Sequence, residues 1–386
     1  MNSLFVESPS KPPPNKKQKL SNCEPNTTDS ETKTENMNKG NVLNYPYFYN
    51  SGYLQLPTGY IFGNYKIING SDNIHENFIG KGSFGLVYLC ENLENGRKYV
   101  VKIIKNERRY IKAAIQETIL LSEISEQQKC DNHNLVKFIE SFYLFESIPV
   151  LVFEFAGKNL YKYSKNNLLY NSRAFTYDLV IQITNQILKG LKKLRELNII
   201  HCDLKPENIC YDDSTGEISI IDFGSSRKEG TKETTISYEF TRYYRPPELP
   251  LELGFDCKSD IWSLGCIVYE LYTGMPLFPV KSSYHQCLLL KNHIQVLGMP
   301  PKSFCDKHPT KNVQYMIDRI KDTNIGKWED KQHILKNVDE DPVINFISKC
   351  LKWDPDERIT PEEALNDPLF TSSLPKKVLK TLSSFV

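Results

Sequence analysis

Two short motifs, joined through a β-branched run, constrain this chain more than any other feature. The first, His201-Cys202-Asp203-Leu204-Lys205-Pro206-Glu207-Asn208, sets an acid, a lysine and an amide within six residues. The second, Asp222-Phe223-Gly224, begins fourteen residues after Asn208 and directly follows Ile218-Ser219-Ile220-Ile221. Between them, Cys210-Tyr211-Asp212 and Glu217–Ile221, joined at Ser214-Thr215-Gly216, predict a hairpin that presents Asp222. A lone Asp or Asn near a His says little. An Asp, an Asn five residues on, and a second Asp at a strand end together fit phosphoryl transfer. A hydroxyl that attacks a γ-phosphate needs an acceptor for its proton, and Asp203 fits that role. The phosphate charge calls for Mg²⁺, which takes hard oxygen ligands. Asn208 and Asp222 carry such oxygens.

The 386 residues allow two to three domain-sized units or one large two-lobed enzyme. A net charge of +1 gives no overall steering toward nucleic acid or membrane. The most apolar stretch, Trp262–Val280, is interrupted by Glu270, Gly274 and Pro276, so a membrane span is not expected. The N-terminus lacks the pattern of a signal peptide. The ten cysteines include no C-x-x-C pair, which fits reduced thiols in the nucleus and/or cytoplasm.

Residues 1 to about 40 are poor in apolar side chains and are expected to be disordered. Four lysines fall within Lys11–Lys19, and this cluster has two readings, a nuclear-import signal and a solvated basic tail. Nucleic-acid binding would rest on these lysines alone and is not expected. Residues 41–60 add Tyr45, Tyr47, Phe48, Tyr49, Tyr53 and Tyr60, spaced like a strap packed on the first lobe. Regular structure is expected from near Tyr60.

Ile79-Gly80-Lys81-Gly82-Ser83-Phe84-Gly85-Leu86-Val87 carries G-x-G-x-x-G, which dinucleotide folds share. Here a turn at Glu94-Asn95-Gly96 and a second β-run, Lys98–Ile104, follow it. That is strand, turn, strand, whereas a dinucleotide fold enters a helix. A glycine-rich hairpin can close over phosphates without Cβ clashes. Lys102, inside the second β-run, is expected to bind the α- and β-phosphates of ATP. Arg109–Glu126 predicts a helix, with Ile111, Ile115, Ile119 and Ser122 at helical spacing. Glu117 within it is the chosen anion for Lys102, and Glu123 the fallback. Strands follow at Leu135–Leu144 and Val150–Phe155. They lead to Glu154-Phe155-Ala156-Gly157, a hinge whose backbone can pair with adenine. Phe153 would guard the back of that pocket, and Asn159 would reach the ribose. Helices are expected over Tyr177–Leu197, from Asp260 to Tyr272, and over about Tyr284–Leu297, with a polar insert from about 300 to 338. Thr360 and Pro361 fit the cap and first residue of a last short helix.

These residues, taken in order, resemble the eukaryotic protein kinases over roughly residues 65–370. Arg245 before Pro246-Pro247-Glu248, and the insert after Leu297-Gly298, resemble the CMGC group. H-C-D-L-K-P-E-N, D-F-G-S-S, Asn159-Leu160-Tyr161 and Leu297-Gly-Met-Pro-Pro are similar to the dual-specificity tyrosine-regulated kinases, with LAMMER-type kinases the alternative. The resemblance implies an α+β, bilobal fold: residues 61–156 as a small β-rich N-lobe and 157–371 as a larger helical C-lobe. Residues 1–60 would be an extension and 372–386 a tail. It implies a monomer that uses ATP and Mg²⁺ to phosphorylate Ser/Thr of protein substrates, with tyrosine autophosphorylation. Asp203 and Lys205 would act on the transferring phosphate, with Lys102 and Glu117 positioning ATP. Ile79, Gly80, Gly82, Ser83, Phe84, Gly85, Val87, Glu154, Ala156 and Asn159 would line the nucleotide site. Because these key residues are all present, a pseudokinase scaffold is the lesser reading.

Three departures stand out. Cys202 occupies a place where most of these kinases have Arg, so a phosphate held by that arginine is not expected. Ile236 replaces the first tyrosine of the relatives' Tyr-x-Tyr, leaving Tyr238 as the acceptor. Arg242 and Arg245 would hold its phosphate through charge-assisted bonds. Lys162 replaces an Asp beyond the hinge and argues against a carried-over preference for basic residues before the target site. Glu248 and Arg358 are expected to form a buried pair.

Overall fold

The computed structural model describes residues 48–50, 52–68, 77–127, 133–168, 174–230, 240–280, 286–309 and 341–371, with residues 313, 314, 318 and 335. The first lobe is an antiparallel sheet. Its strands are β3 (Ile61–Phe62), β4 (Tyr65–Ile67), β5 (Gly80–Lys81), β6 (Gly85–Asn92), β7 (Lys98–Ile104), β8 (Phe138–Leu144) and β9 (Ile148–Glu154). They lie in the order β3-β4-β6-β7-β9-β8, with β5 paired on β6. The tight β6–β7 turn is made by Gly96, at φ 67°, which glycine adopts without a Cβ clash. Ahead of the sheet, β1 (Phe48–Asn50) pairs with β2 (Tyr53–Gln55) as a separate hairpin. Ordered structure therefore begins before Tyr60, and part of the expected N-terminal extension is a strap on the first lobe. Leu54 and Leu56 enter the sheet core with Tyr88, Val101 and Val152. Tyr45 and Tyr47 lie outside the described residues, as do the basic cluster and the tail.

The helix expected from the isoleucine spacing is present as α1 (Arg108–Gln127). Its buried face is a different one. Ala114, Glu117, Leu120, Leu121 and Ile124 face inward, while Ile115 and Ile119 are 44 % and 56 % exposed. The isoleucine stripe and the inward face both obey helical period. Which one turns inward is decided by the tertiary partner, the face of β7 that carries Lys102.

The second lobe is built on α3 (Tyr177–Glu196), capped by the Thr176 side chain, which accepts from Leu179 N. Val180, Ile183, Ile187, Leu191 and Leu194 form its buried stripe. It leads into β10 (Ile199–Ile200), and beyond it β11 (Ile209–Asp212) and β12 (Glu217–Ile220) form the expected hairpin. The helix α4 starts earlier than its apolar run, at Cys257, because the Asp256 side chain caps Lys258 N. It ends at Thr273, before Gly274 in the left-handed conformation. Two further helices are α5 (Gln286–Leu297) and α6 (Lys302–Lys307), the second inside the expected insert. Near the end of the described residues, Thr360 and Glu363 form a capping box, with Pro361 in the first turn. Among the described residues, no helix is long and apolar enough to cross a membrane.

Candidate active site

Strand period places Lys102 on the same face of β7 as Val100 and Ile104, turned toward α1. Lys102 is buried and turned away from solvent. Its Nζ lies 2.8 and 3.0 Å from the two Glu117 oxygens and 2.8 Å from Asp222 Oδ1. Glu123, the fallback, pairs with Lys228 instead. Burial disfavours the Lys102 charge, but the Asp222 and Glu117 carboxylates outweigh it and raise its pKa above the ordinary lysine range. Burial also opposes ionisation of Asp222, yet Lys102 holds that carboxyl below its usual range. Burial pushes Glu117 up, against the pull of Lys102. The result is a cation held between two acids from separate lobes.

The glycine-rich turn lies above this junction. Gly85 is a steric requirement, since a Cβ there would run into the Ile103 carbonyl. Val87 pairs with both Gly80 and Lys102, and Phe84 stacks edge-on against Tyr110 at 5.8 Å. Lys81, Gly82 and Ser83 at the tip are exposed. Along the hinge, Glu154 ends β9, and Ala156 is half-buried. Gly157 adopts φ 87°, where a Cβ would strike the Tyr211 carbonyl. Phe153 is buried against Phe138. Asn159 Oδ1 accepts from Lys162 N and caps the helix α2 (Leu160–Leu168). Lys162 crosses the cleft, its Nζ donating to the Ile79 carbonyl at 3.0 Å.

Asp203 is braced on both oxygens. Its Oδ1 accepts from Thr241 N (3.1 Å) and Thr241 Oγ1 (2.6 Å). Its Oδ2 accepts from Lys205 Nζ (2.6 Å) and Asn208 Nδ2 (3.2 Å). Asn208 Nδ2 also donates to the Asp203 carbonyl at 2.9 Å, and Lys205 Nζ to Thr241 Oγ1 at 3.1 Å. Beneath them, His201 Nε2 lies 3.0 Å from the Ile221 carbonyl, so that nitrogen carries the proton and Nδ1 accepts from Asp203 N. Asp260 of α4 accepts from His201 N (2.7 Å) and Cys202 N (3.1 Å). Burial pushes the Asp260 carboxyl up to about 6 against these bonds. Cys202 and Asp222 both stand at positive φ, 65° and 64°, a strained region for residues with a Cβ. Phe223 anchors the second of these turns in the core, edge-on to His201 at 5.1 Å.

Sequence reasoning did not pick out Thr241, Asp260 or the Lys162 crossing. Asp260 carried a signal, a carboxylate inside a strongly apolar helix. Thr241 and Lys162 carried none that spacing could expose.

Tyr238 lies outside the described residues. Arg245 is buried, its Nε donating to the Phe240 carbonyl at 3.1 Å, while Arg242 is exposed. The Glu248–Arg358 pair is present and fully buried, with oxygens 2.8 and 2.6 Å from Nη1 and Nη2. Ser259 Oγ donates to Glu248, and Arg358 also donates to the Lys352 and Lys258 carbonyls. The pair is therefore hydrogen-bonded beyond its own contact, as buried charges require.

The residues fit a divalent metal. Asn208 spends its amide nitrogen on Asp203, which leaves its carbonyl oxygen as an acceptor a cation can use. Asp222 adds an ionised carboxylate. Two hard oxygens suit Mg²⁺, which completes its shell with water and phosphate oxygens.

A model of the protein kinase domain matches residues 74–370. The chain is 35% identical over 322 residues to the DYRK-family kinase pom1 of Schizosaccharomyces pombe, covering 80% of this chain and 29% of that one. It is 37% identical over 296 residues to human dual specificity tyrosine-phosphorylation-regulated kinase 4 (74% and 55%). It is 36% identical over 315 residues to kinase 2 of the same name from Drosophila melanogaster (78% and 42%). The chain thus spans between about a third and just over half of the length of these relatives. A crystal structure of another kinase domain superposes with a TM-score of 0.69 at 28% identity, over 83% of this chain and 99% of that one. Family membership implies in general the use of ATP and a divalent metal on protein substrates. On its sequence match, its bilobal fold and the residues gathered at its cleft, this chain belongs to the protein kinase domain family, with DYRK-family kinases among its relatives.

Proposed function

We propose that the chain transfers the γ-phosphate of ATP to Ser and Thr hydroxyls of proteins, with Mg²⁺ held by Asn208 and Asp222. The observation that carries this is the joined state of the site. Lys102 meets Glu117 and Asp222 at once, while Asp203 is braced by Thr241, Lys205 and Asn208.

The substrate oxygen bonds to the γ-phosphorus as the bond from that phosphorus to its bridging oxygen breaks, and ADP leaves. The hydroxyl proton passes to Asp203. Lys205 follows the transferring phosphate, its ammonium leaving Asp203 for the new negative charge. Lys102, fixed by Glu117, takes the α- and β-phosphates. The metal supplies neutralisation of phosphate charge. Positioning and electrostatics carry the rate, because the chain forms no covalent bond to the phosphate.

Within this reading, Tyr238 is an autophosphorylation site whose phosphate pairs with Arg242 and Arg245. The Lys162 ammonium at the cleft mouth disfavours arginine before the target residue. The chain acts as a monomer in the nucleus and/or cytoplasm. The names of the relatives, which specify dual specificity and tyrosine phosphorylation, support the tyrosine step.

The test is phosphate transfer from Mg-ATP to a basic protein and to the chain itself, beside Lys102→Arg, with sites mapped by mass spectrometry. Transfer lost in Lys102→Arg, with phosphate on substrate Ser/Thr and on Tyr238, is the expected result. Transfer with Tyr238 unmodified removes the tyrosine step and keeps the kinase. No transfer with ATP still bound would make the chain a scaffold.

A further inference from the structure

The tip of the glycine-rich turn has little to hold it. Gly82 is exposed, and a Cβ built there would meet nothing within 4 Å. Its own hairpin supplies one bond, from Gly82 N to the Gly85 carbonyl at 3.0 Å. A second restraint comes from outside the hairpin. Tyr53 Oη, on β2 of the N-terminal strap, donates to the Gly82 carbonyl at 2.9 Å. The Tyr53 ring is itself fixed between two ammonium groups, Lys81 Nζ at 5.0 Å and Lys105 Nζ at 4.6 Å from its centroid.

The strap behind Tyr53 is firmly seated. Tyr88 Oη donates to the Leu54 carbonyl and accepts from Leu56 N, both at 3.1 Å, with all three side chains buried. Asn106 N donates to the Gly52 carbonyl at 3.1 Å, and Lys105 N to the Phe84 carbonyl at 2.8 Å. The hairpin thus joins the floor of the sheet to the exposed tip of the turn.

We propose that Tyr53 is a positioning residue for the nucleotide phosphates, acting through the Gly82–Ser83 peptide. In a trans peptide the C=O and the following N–H point in opposite directions. A bond that turns the Gly82 oxygen toward the strap therefore turns the Ser83 N–H away from it, into the space beneath the turn. A backbone N–H aimed there is a donor for a phosphate oxygen, set before the nucleotide arrives. Without the tyrosine hydroxyl, glycine at 82 lets this peptide rotate, and the ordering is left to the ligand. The inference rests on the nucleotide-binding reading above and adds a residue from the strap to it.

The experiment uses the full chain and Tyr53→Phe, which keeps the ring and its two lysines and removes only the hydroxyl. Calorimetry with Mg²⁺ and β,γ-imido-ATP, and separately with adenosine, reads binding without transfer. The expected result is about fivefold weaker binding of the triphosphate, the loss of one ordinary hydrogen bond, with adenosine affinity unchanged. The KM for ATP should rise by the same factor, with kcat at saturating ATP retained. Equal triphosphate affinity in both proteins would overturn the proposal. So would a parallel loss of adenosine and triphosphate binding, which marks a merely structural tyrosine. If the unaltered chain binds neither ligand, the nucleotide-binding reading itself fails, and this inference with it.

Discussion

The floor and the roof of the cleft are built on opposite principles. On the floor, Asp203 receives four hydrogen bonds from three side chains and one backbone amide, over a layer fixed by Asp260 and the Glu248–Arg358 pair. On the roof, three successive residues, Lys81 to Ser83, are exposed, and the side chains that reach the turn from outside do so through single bonds to carbonyls: Tyr53 at Gly82 and Lys162 at Ile79. The chemistry needs a proton acceptor that does not move and a cover that must open for nucleotide to enter. Over-determination suits the first and sparse restraint the second. Floor substitutions should therefore cost rate or folding, and roof substitutions should cost nucleotide affinity by small factors.

The sharpest way to break this contrast is Asp203→Asn. It should lower kcat by about 10²–10⁴, the span of general-base contributions, with the KM for ATP nearly unchanged in steady-state assays. A large rise in KM instead would mean the floor also binds nucleotide. Next in size, Arg358→Ala leaves Glu248 charged and buried without its partner, and should cost about 3–5 kcal/mol of unfolding free energy in urea. A variant that stays as stable and merely inactive would remove the pair from the floor's support.

A third test uses pH. His293 is fully buried, edge-on against the stacked rings of Trp262 and Phe278, and neither ring nitrogen has a hydrogen-bond partner among the described residues. Burial, aided by the Arg358 charge, pushes its pKa down to about 3 from 6.5. Above pH 6.5 the ring is neutral in both folded and unfolded chains, so it imposes no acid penalty. Below that, the unfolded chain takes up a proton that the folded chain refuses, and stability falls as pH drops toward 3. The loss should reach about 2 kcal/mol between pH 6.5 and 5. His293→Leu should flatten that part of the profile in urea titrations at several pH values, while roof behaviour stays as it was. The smallest effect belongs to the roof. Lys162→Ala should raise the KM for ATP about two- to fivefold, without a change in urea midpoint. A stability loss there would show that the crossing lysine supports the lobes and not just the cover.

The same contrast decided what the sequence revealed. The floor was readable because its chemistry demands particular side chains at fixed spacing. Asp203, Asn208 and Asp222 were recognised from that, and the structure joins Asn208 to Asp203, and Asp222 to Lys102 beside Glu117. The roof's restraints end on carbonyl oxygens, which every residue carries, so neither Tyr53 nor Lys162 could be matched to its acceptor in advance. The helix α1 shows a second limit. Its period was clear, but two faces satisfied it, and the isoleucines lost to the face bearing Glu117 because a buried lysine on β7 needed that carboxylate. Asp260 was read as the start of an apolar helix, although a carboxylate in such a place asks for buried donors, which it finds in His201 N and Cys202 N. Tyr238 lies beyond what the structure describes.

The Glu248–Arg358 pair joins residues 110 positions apart. During synthesis at about 5–20 residues per second, roughly 5–20 s separate the emergence of the glutamate from that of its arginine. Through that interval α4 can form while the carboxylate it must help bury still faces water. The second lobe therefore cannot close residue by residue as it leaves the ribosome. It has to wait for Arg358, and a chain cut short before that residue should engage chaperones although it already carries every group proposed to act in phosphate transfer.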